Sequence, residues 1–132
     1  MARGRSISGG NDPLLFSMKK NSLLSPDQAG TCALLDPVQD VVHGVVSRAV
    51  LTTPGLRLTL FHFAAGQGLS EHTSKARALV QLLGGACTFT VGGRSIALKP
   101  GDLLHLPPGE PHAVTGTEAF SMLLTQVTEP AA

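Results

Sequence analysis

The sequence predicts an all-β domain built as a small antiparallel jelly roll or barrel. The 132-residue chain has the length of one domain and contains 15 glycines and 9 prolines, a composition typical of many short strands and turns. Short apolar runs recur at roughly ten-residue spacing with a turn at each junction, which is the pattern of sandwiches and barrels. No heptad pattern is present, and no predicted helix exceeds about two turns.

Charge and composition exclude several classes of partner. The net charge is +1 and Trp and Tyr are absent, so nothing indicates a nucleic-acid-binding surface. No apolar run approaches the roughly 20 residues that span a bilayer, so no membrane segment is predicted. Cys32 and Cys87 lie far apart and outside any Cys-x-x-Cys motif, which favours reduced, buried thiols in a cytoplasmic protein. Because only 14% of residues are charged, part of the surface is expected to be buried in a homodimer.

The chain divides into a barrel and two terminal extensions. Residues 1–20 are basic and rich in Gly and Ser, and they are predicted to form a flexible tail. Residues 21–37 are predicted to form an N-terminal arm that packs on a partner subunit, residues 38–127 the barrel, and residues 128–132 a C-terminal tail. Met18, which is followed by two lysines, is an alternative start of the natural chain.

The first half of the barrel carries the most apolar strands. Residues 38–53 are dense in β-branched side chains, which favour a strand, and Gly44 is assigned to a bulge within it. Strands 56–63 and 78–83 are apolar on both faces, so a second subunit is expected to cover their outer side. Residues 69–76, between them, are predicted as a further short strand.

The second half supplies a hairpin, a rigid corner and a closing strand. Residues 86–98 form the hairpin around a Gly-Gly turn. Residues 103–106 are a short strand, and Pro107-Pro108-Gly109 ends it because proline has no N–H to donate to a ladder. The corner delivers His112 at the start of the next apolar run, and residues 118–127 close the sheet.

Two motifs in this region resemble those of the cupin family. The second cupin signature reads glycine, five residues, Pro-x-Gly, two residues, histidine, and the matching residues are Gly101, Pro107, Gly109 and His112. In the first signature, Gly66 is followed after five residues by His72, and Gly84 is assigned as the closing glycine. Over about residues 38–127 the chain therefore resembles small single-domain, RmlC-like cupins. The resemblance implies a cupin-type jelly-roll barrel, usually dimeric, with a pocket between the inward faces of its strands.

The first signature is incomplete. Cupins that use iron, manganese or nickel generally hold the ion with three histidines and one acid. Here the second histidine is replaced by Ser74, and the position of the acid falls on Arg77, Ala78 or Leu79, depending on the direction of counting. The resemblance therefore leaves two of the four ligands, His72 and His112.

Gln81 is the first candidate for a third ligand. Period-two counting places it on the face shared by Arg77 and Leu79, where the family's acid would point. A buried amide costs about 1–3 kcal/mol unless it is paired, so an inward Gln81 is expected to bind a metal, water or ligand, or a neighbouring strand. Leu79, Leu104 and Leu106 are expected to line the pocket beside the two imidazoles.

The other histidines are weaker candidates for site residues. His62 follows Phe61 and is assigned either to a subunit contact or to the pocket. His105 is predicted to be structural, and His43 an ordinary strand histidine. No carboxylate pair is available for general acid–base catalysis.

Three functions are compatible with these residues. The one we favour is a barrel that binds a small molecule in its interior, with weak binding of a divalent metal (Fe, Ni, Zn or Mn) by the two histidines. The first alternative is a metal-dependent cupin enzyme, such as a dioxygenase, decarboxylase or isomerase acting on a small carbonyl or aromatic compound. The second alternative is a structural dimer with a filled barrel.

Overall fold

The computed structural model describes residues 22–34 and 43–129, and these ranges contain strands and turns but no helix. No helix in this part of the chain is therefore long and apolar enough to cross a membrane. The nine strands are β1 (Val45–Thr53), β2 (Leu56–Phe63), β3 (Gly68–His72), β4 (Arg77–Gly84), β5 (Cys87–Val91), β6 (Arg94–Leu98), β7 (Leu103–Leu106), β8 (His112–Thr115) and β9 (Phe120–Val127). The predicted all-β fold is confirmed.

The strands form two sheets that face each other across one core. Five strands pair in the order β1-β2-β9-β4-β7, and four pair in the order β3-β8-β5-β6. All of these pairings are antiparallel. Because β3 pairs with β8 and not with its neighbour in sequence, β4, the two halves of the chain interleave, as in a jelly roll.

Period-two alternation decides which side chains enter the core. In β4, Ala78, Val80 and Leu82 are almost completely buried. Phe89 of β5 faces them from the four-stranded sheet and is 2% exposed. Phe63 and Phe120 stack at one end of this core, with ring centroids 4.3 Å apart. Burial of such side chains contributes about 1.5–3 kcal/mol each relative to exposure.

Two details of the first strands differ from the sequence-based prediction. The irregularity in β1 lies between Ala49 and Leu51, whereas Gly44 precedes the strand with φ +71° and is not a bulge. The third strand ends at His72, four residues earlier than predicted, because residues 73–76 form a loop.

Part of the predicted N-terminal arm packs on β1 of the same chain. Ser22 forms a parallel bridge with Ala49, and the N–H groups of Leu23 and Leu24 donate to carbonyl oxygens of β1 at 3.0 and 2.8 Å. Packing of this arm on a partner subunit stays a prediction. The flexible tail predicted at residues 1–20, and the alternative start at Met18, lie outside the described residues.

Candidate functional site

Two imidazoles converge at one end of the barrel. His72 ends β3 and His112 begins β8, and the two residues are partners in the antiparallel register of these strands. Their ring centroids are 4.3 Å apart and their planes meet at 64°. The convergence expected from the two motifs is therefore confirmed, although 39 residues separate the two histidines in the sequence.

The backbone fixes the tautomer of both rings. Nδ1 of His72 lies 2.7 Å from the carbonyl oxygen of Ser70, and Nδ1 of His112 lies 2.8 Å from that of Glu110. A carbonyl oxygen can only accept, so each Nδ1–H donates and each neutral ring keeps its lone pair on Nε2. Such bonds orient an imidazole and raise its basicity as a ligand. Within the described residues, neither Nε2 has a protein hydrogen-bond partner.

The imidazoles border a small apolar cavity between the sheets. Its other lining residues are Leu69, Val80, Phe89, Leu106, Val114, Met122 and Leu124. Its volume is about 30 Å³, which has room for about two waters. His112 is buried whereas His72 is exposed, so the site runs from the rim into the core. This interior space suits an ion with one or two small groups better than a whole aromatic molecule.

The proline corner, Pro107-Pro108-Gly109, orients His112 because it fixes the backbone just before β8. Gly109 has φ +82°, a left-handed conformation that favours glycine, and its N–H donates to the carbonyl oxygen of Ser74 at 2.8 Å. The N–H of Glu110 donates to the carbonyl oxygen of Pro107 at 3.2 Å, which closes the turn. The corner is thus tied to the loop that follows His72.

The structure identifies what replaces the two missing family ligands. A Cβ on Gly85 would collide with the carbonyl oxygen of Ala119, whereas a Cβ on Gly84 would meet open space. The position that requires glycine is therefore Gly85, and not Gly84, which was assigned as the closing glycine. Counting back from Gly85 and forward from Ser74 then gives the same acid position, Ala78, whose side chain is inward and 4% exposed. The Ser74 hydroxyl accepts the N–H of Ala76 at 3.1 Å and does not line the cavity.

The prediction that Gln81 points into the barrel is wrong. Gln81 is exposed, whereas its neighbours Val80 and Leu82 are inward and almost completely buried. Its register partner on β7, Leu103, is 65% exposed on the same outer face. An alternation that starts at Arg77 gives the wrong face, because the inward set of side chains begins at Ala78.

The same one-residue offset affects the predicted pocket residues. Leu79 shares the outer face with Gln81, and the prediction that it lines the pocket is wrong. Leu106 lines the cavity and is 2% exposed, as expected. Leu104 is buried in the core but does not line the cavity.

Met122 was missed by the sequence analysis. It lies on β9, is 3% exposed and lines the cavity from the sheet opposite the two histidines. The alternation of Phe120, Met122 and Leu124 along β9 was the sequence signal for an inward face. That this face lies near the imidazoles follows only from the pairing order of the strands.

The remaining histidines lie elsewhere. His62 is 6% exposed, and its Nδ1 is 2.7 Å from the Ser121 hydroxyl on the outer face of the five-stranded sheet, which excludes the pocket alternative. Nε2 of the exposed His105 accepts from Arg77 at 2.7 Å, in agreement with a structural role. Arg77 also binds Glu129, and this hydrogen bond and the attraction of the charges lower the pKa of the Glu129 carboxyl. His43 is exposed.

A larger groove lies outside the two-histidine site. Its volume is about 270 Å³, and it runs between the β1–β2 turn and residues 74–76. Its lining is mostly polar and includes Arg57 and Lys75, but neither imidazole borders it. Groups of three or more His, Cys, Asp or Glu side chains able to hold a metal are absent from residues 22–34 and 43–129.

Comparisons with known proteins agree with this architecture. A family model described as the cupin domain matches residues 59–125. No curated protein matches the chain. A conserved protein of unknown function from Streptococcus pyogenes is 30% identical, with a TM-score of 0.71, and the match covers 79% of this chain and 91% of that one.

Two further solved structures are similar. A cupin superfamily protein from Desulfitobacterium hafniense is 28% identical over 70% of this chain and 84% of that one, with a TM-score of 0.67. A variant of salicylate 1,2-dioxygenase from Pseudoaminobacter salicylatoxidans is 18% identical over 64% of this chain and 26% of that one, with a TM-score of 0.61. At that identity the second likeness concerns the fold alone.

Proposed function

Because the chain belongs to the cupin family, we propose that it is a binding barrel in which His72 and His112 hold a small ligand, with a weakly bound divalent metal ion as the anchor. The observation that carries this proposal is the pair of backbone-bonded Nδ1 atoms. Because each Nδ1–H donates to the backbone, the Nε2 lone pairs of both rings stay available at one cavity, where they attract a cation or a hydrogen-bond donor.

The donor set supports weak rather than tight binding of Fe, Ni, Zn or Mn. Catalytic metal sites usually have three protein ligands and one open position. His72 and His112 supply two, and the family's acid position is occupied by Ala78, which has no donor atom. An ion held here would rely on water or on the bound molecule for its remaining ligands. We therefore expect the metal and the small molecule to bind cooperatively.

The cavity walls indicate the character of the small molecule. Apart from the two histidines, every lining residue is apolar. The interior volume of about 30 Å³ admits only the tip of a molecule, whereas the exposed rim at His72 leaves room for the rest. We therefore favour a small, weakly polar molecule that reaches the two Nε2 atoms with one polar end.

The small cavity also supports the alternative of a structural dimer with a filled barrel. The binding barrel and the filled barrel differ in one respect. The first has a ligand at its two imidazoles, whereas the second needs none. The metal-dependent enzyme remains the other alternative, and the lack of a third histidine or an acid beside the two imidazoles among the described residues weighs against it.

A metal titration tests the proposal. Purified, metal-free protein is titrated calorimetrically with Zn(II), Ni(II) or Mn(II), and anaerobically with Fe(II). A native-state ligand at 100 times its Kd raises stability by about 2.7 kcal/mol, so a rise in melting temperature should accompany binding. A screen of small acids with and without the ion then tests cooperativity.

Three variants make the titration specific. His72→Ala and His112→Ala should each abolish the binding heat, and His105→Ala, which removes an exposed imidazole outside the site, should not. Binding that survives the first two substitutions, or a wild-type protein that responds to no ion and no small molecule, would contradict the proposal and favour the filled barrel.

A further inference from the structure

Besides the two imidazoles, one lining residue of the cavity, Met122, carries a donor atom, and this atom is a sulfur. The cavity lining comprises two imidazoles, the thioether of Met122 and hydrocarbon groups, with no carboxylate, hydroxyl or amide side chain. Met122 is 3% exposed, so its sulfur is withdrawn from solvent. The donor set of this cavity is therefore two nitrogens and one sulfur.

The three donors come from opposite sides of the barrel. His72 and His112 belong to the four-stranded sheet, and Met122 belongs to β9 in the five-stranded sheet. Val80 and Leu124, which also line the cavity, lie on β4 and β9, which pair next to each other. Met122 thus lines the same cavity as the imidazoles from across the core, and an ion in this cavity would be enclosed from both sheets.

Ligand softness and charge both favour a monovalent ion. Thioether and imidazole donors suit Cu(I), whereas Mn(II) and Mg(II) prefer carboxylate and carbonyl oxygens. None of the three donors carries a negative charge, so nothing in the cavity lining offsets the charge of a bound ion. The Born cost of burying an ion grows with the square of its charge, and a +1 ion is therefore far easier to accommodate here than a +2 ion.

We propose that His72, His112 and Met122 form a binding site for Cu(I). The inference rests on the proposed function, since it uses the same two imidazoles, and it adds Met122 as a ligand and a cuprous ion as the preferred occupant. The methionine has no role in binding a hard divalent ion, so its contribution separates the two ideas.

The test is an anaerobic competition for Cu(I) against bicinchoninate, followed by the absorbance of the chromophoric complex. Cys32 is half-exposed and thiols bind Cu(I), so the measurements use a Cys32→Ser background. Cys87 is buried, and burial raises the pKa of its thiol to about 11, which keeps it protonated near neutral pH. In this background, Met122→Leu conserves volume and removes only the sulfur.

We expect Met122→Leu to lower the Cu(I) affinity by about tenfold or more, because even outer-shell changes cost about 10–100-fold at metal sites. The Mn(II) affinity should stay unchanged, because Mn(II) prefers oxygen donors to a thioether. X-ray absorption should show a sulfur scatterer on copper in the background protein and none in the variant. Leu82→Met, at the register partner of Met122 in β4, is a matched core swap outside the cavity and should have no effect.

An unchanged Cu(I) affinity in Met122→Leu, or copper without a sulfur neighbour in the background protein, would overturn the assignment. If Zn(II) still bound and required His72 and His112, only the role of Met122 would fail. If neither Zn(II) nor Cu(I) bound to the background protein, the metal-anchored function would fail with it.

Discussion

The N–H of Gly109 donates to the carbonyl oxygen of Ser74 at 2.8 Å, which joins the corner before His112 to the loop after His72. Each imidazole lies within three residues of this bond. The relative position of the two rings therefore depends on the backbone of two loops as well as on the pairing of β3 with β8.

Replacing Gly109 with alanine should loosen the site. Gly109 has φ +82° and open space around its Cβ position, so the cost is conformational, and we expect the free energy of unfolding to fall by about 1–2 kcal/mol. Zn(II) affinity should fall as well. Gly101→Ala is the control, because Gly101 has φ +93°, equally open surroundings and no contact with the histidine loops. Denaturant unfolding and calorimetry measure both effects, and equal losses of metal affinity in the two variants would contradict the role of the corner.

Restoring the family's acid at Ala78 should strengthen divalent binding. Ala78 is inward and its partner on β7, Leu106, lines the cavity. In metal-free protein, Ala78→Glu should lower the free energy of unfolding by about 3 kcal/mol or more, since the carboxylate would be buried without a partner. Mn(II) or Zn(II) should recover part of that loss. Ala78→Gln is the uncharged control, and the same metal response in both variants would show that the acid position was assigned wrongly.

The homodimer predicted from the apolar strands can be tested by substituting Leu103. The outer side of β2 is already buried in the single chain, since Leu60 is 3% and His62 6% exposed. Leu103, on the edge strand β7, is 65% exposed and is therefore our best candidate for an interface residue. Light scattering should give a dimer at micromolar concentration for the wild type and a monomer for Leu103→Lys. Ser95→Lys, at an exposed position of β6, should stay dimeric. A monomeric wild-type protein would contradict the prediction.

The two thiols should react at very different rates. Burial raises the pKa of Cys87 from 9.0 to about 11, whereas Cys32 is half-exposed. With Ellman's reagent at pH 8, we expect one fast thiol, lost in Cys32→Ser, and one that reacts only on unfolding. The raised pKa means that the folded state holds its proton more tightly. This contribution to stability is complete below pH 9 and is lost as the pH rises through about 11. Two equal reaction rates would contradict the burial of Cys87.

The sequence predicted the site in part, and the reasons differ between residues. His72 and His112 could be predicted because family motifs fix their places on strands that become neighbours. Gln81 was misplaced because alternation gives two faces but does not say which one is inward, and a one-residue error in the starting point reverses every assignment. Met122 was missed because its distance from the histidines depends on the order in which β9 joins the opposite sheet.

The most direct test of the central claim is the nitrogen NMR spectrum of the imidazoles. Long-range ¹⁵N–¹H correlation distinguishes the protonated nitrogen of each ring from the one that carries the lone pair. In metal-free protein at neutral pH, we predict Nδ1–H tautomers for His72 and His112. Addition of Zn(II) should then shift the Nε2 resonances of these two rings and leave those of His62 and His105 in place. Nε2–H tautomers, or Nε2 resonances of His72 and His112 that do not respond to metal or to any small molecule, would contradict the account.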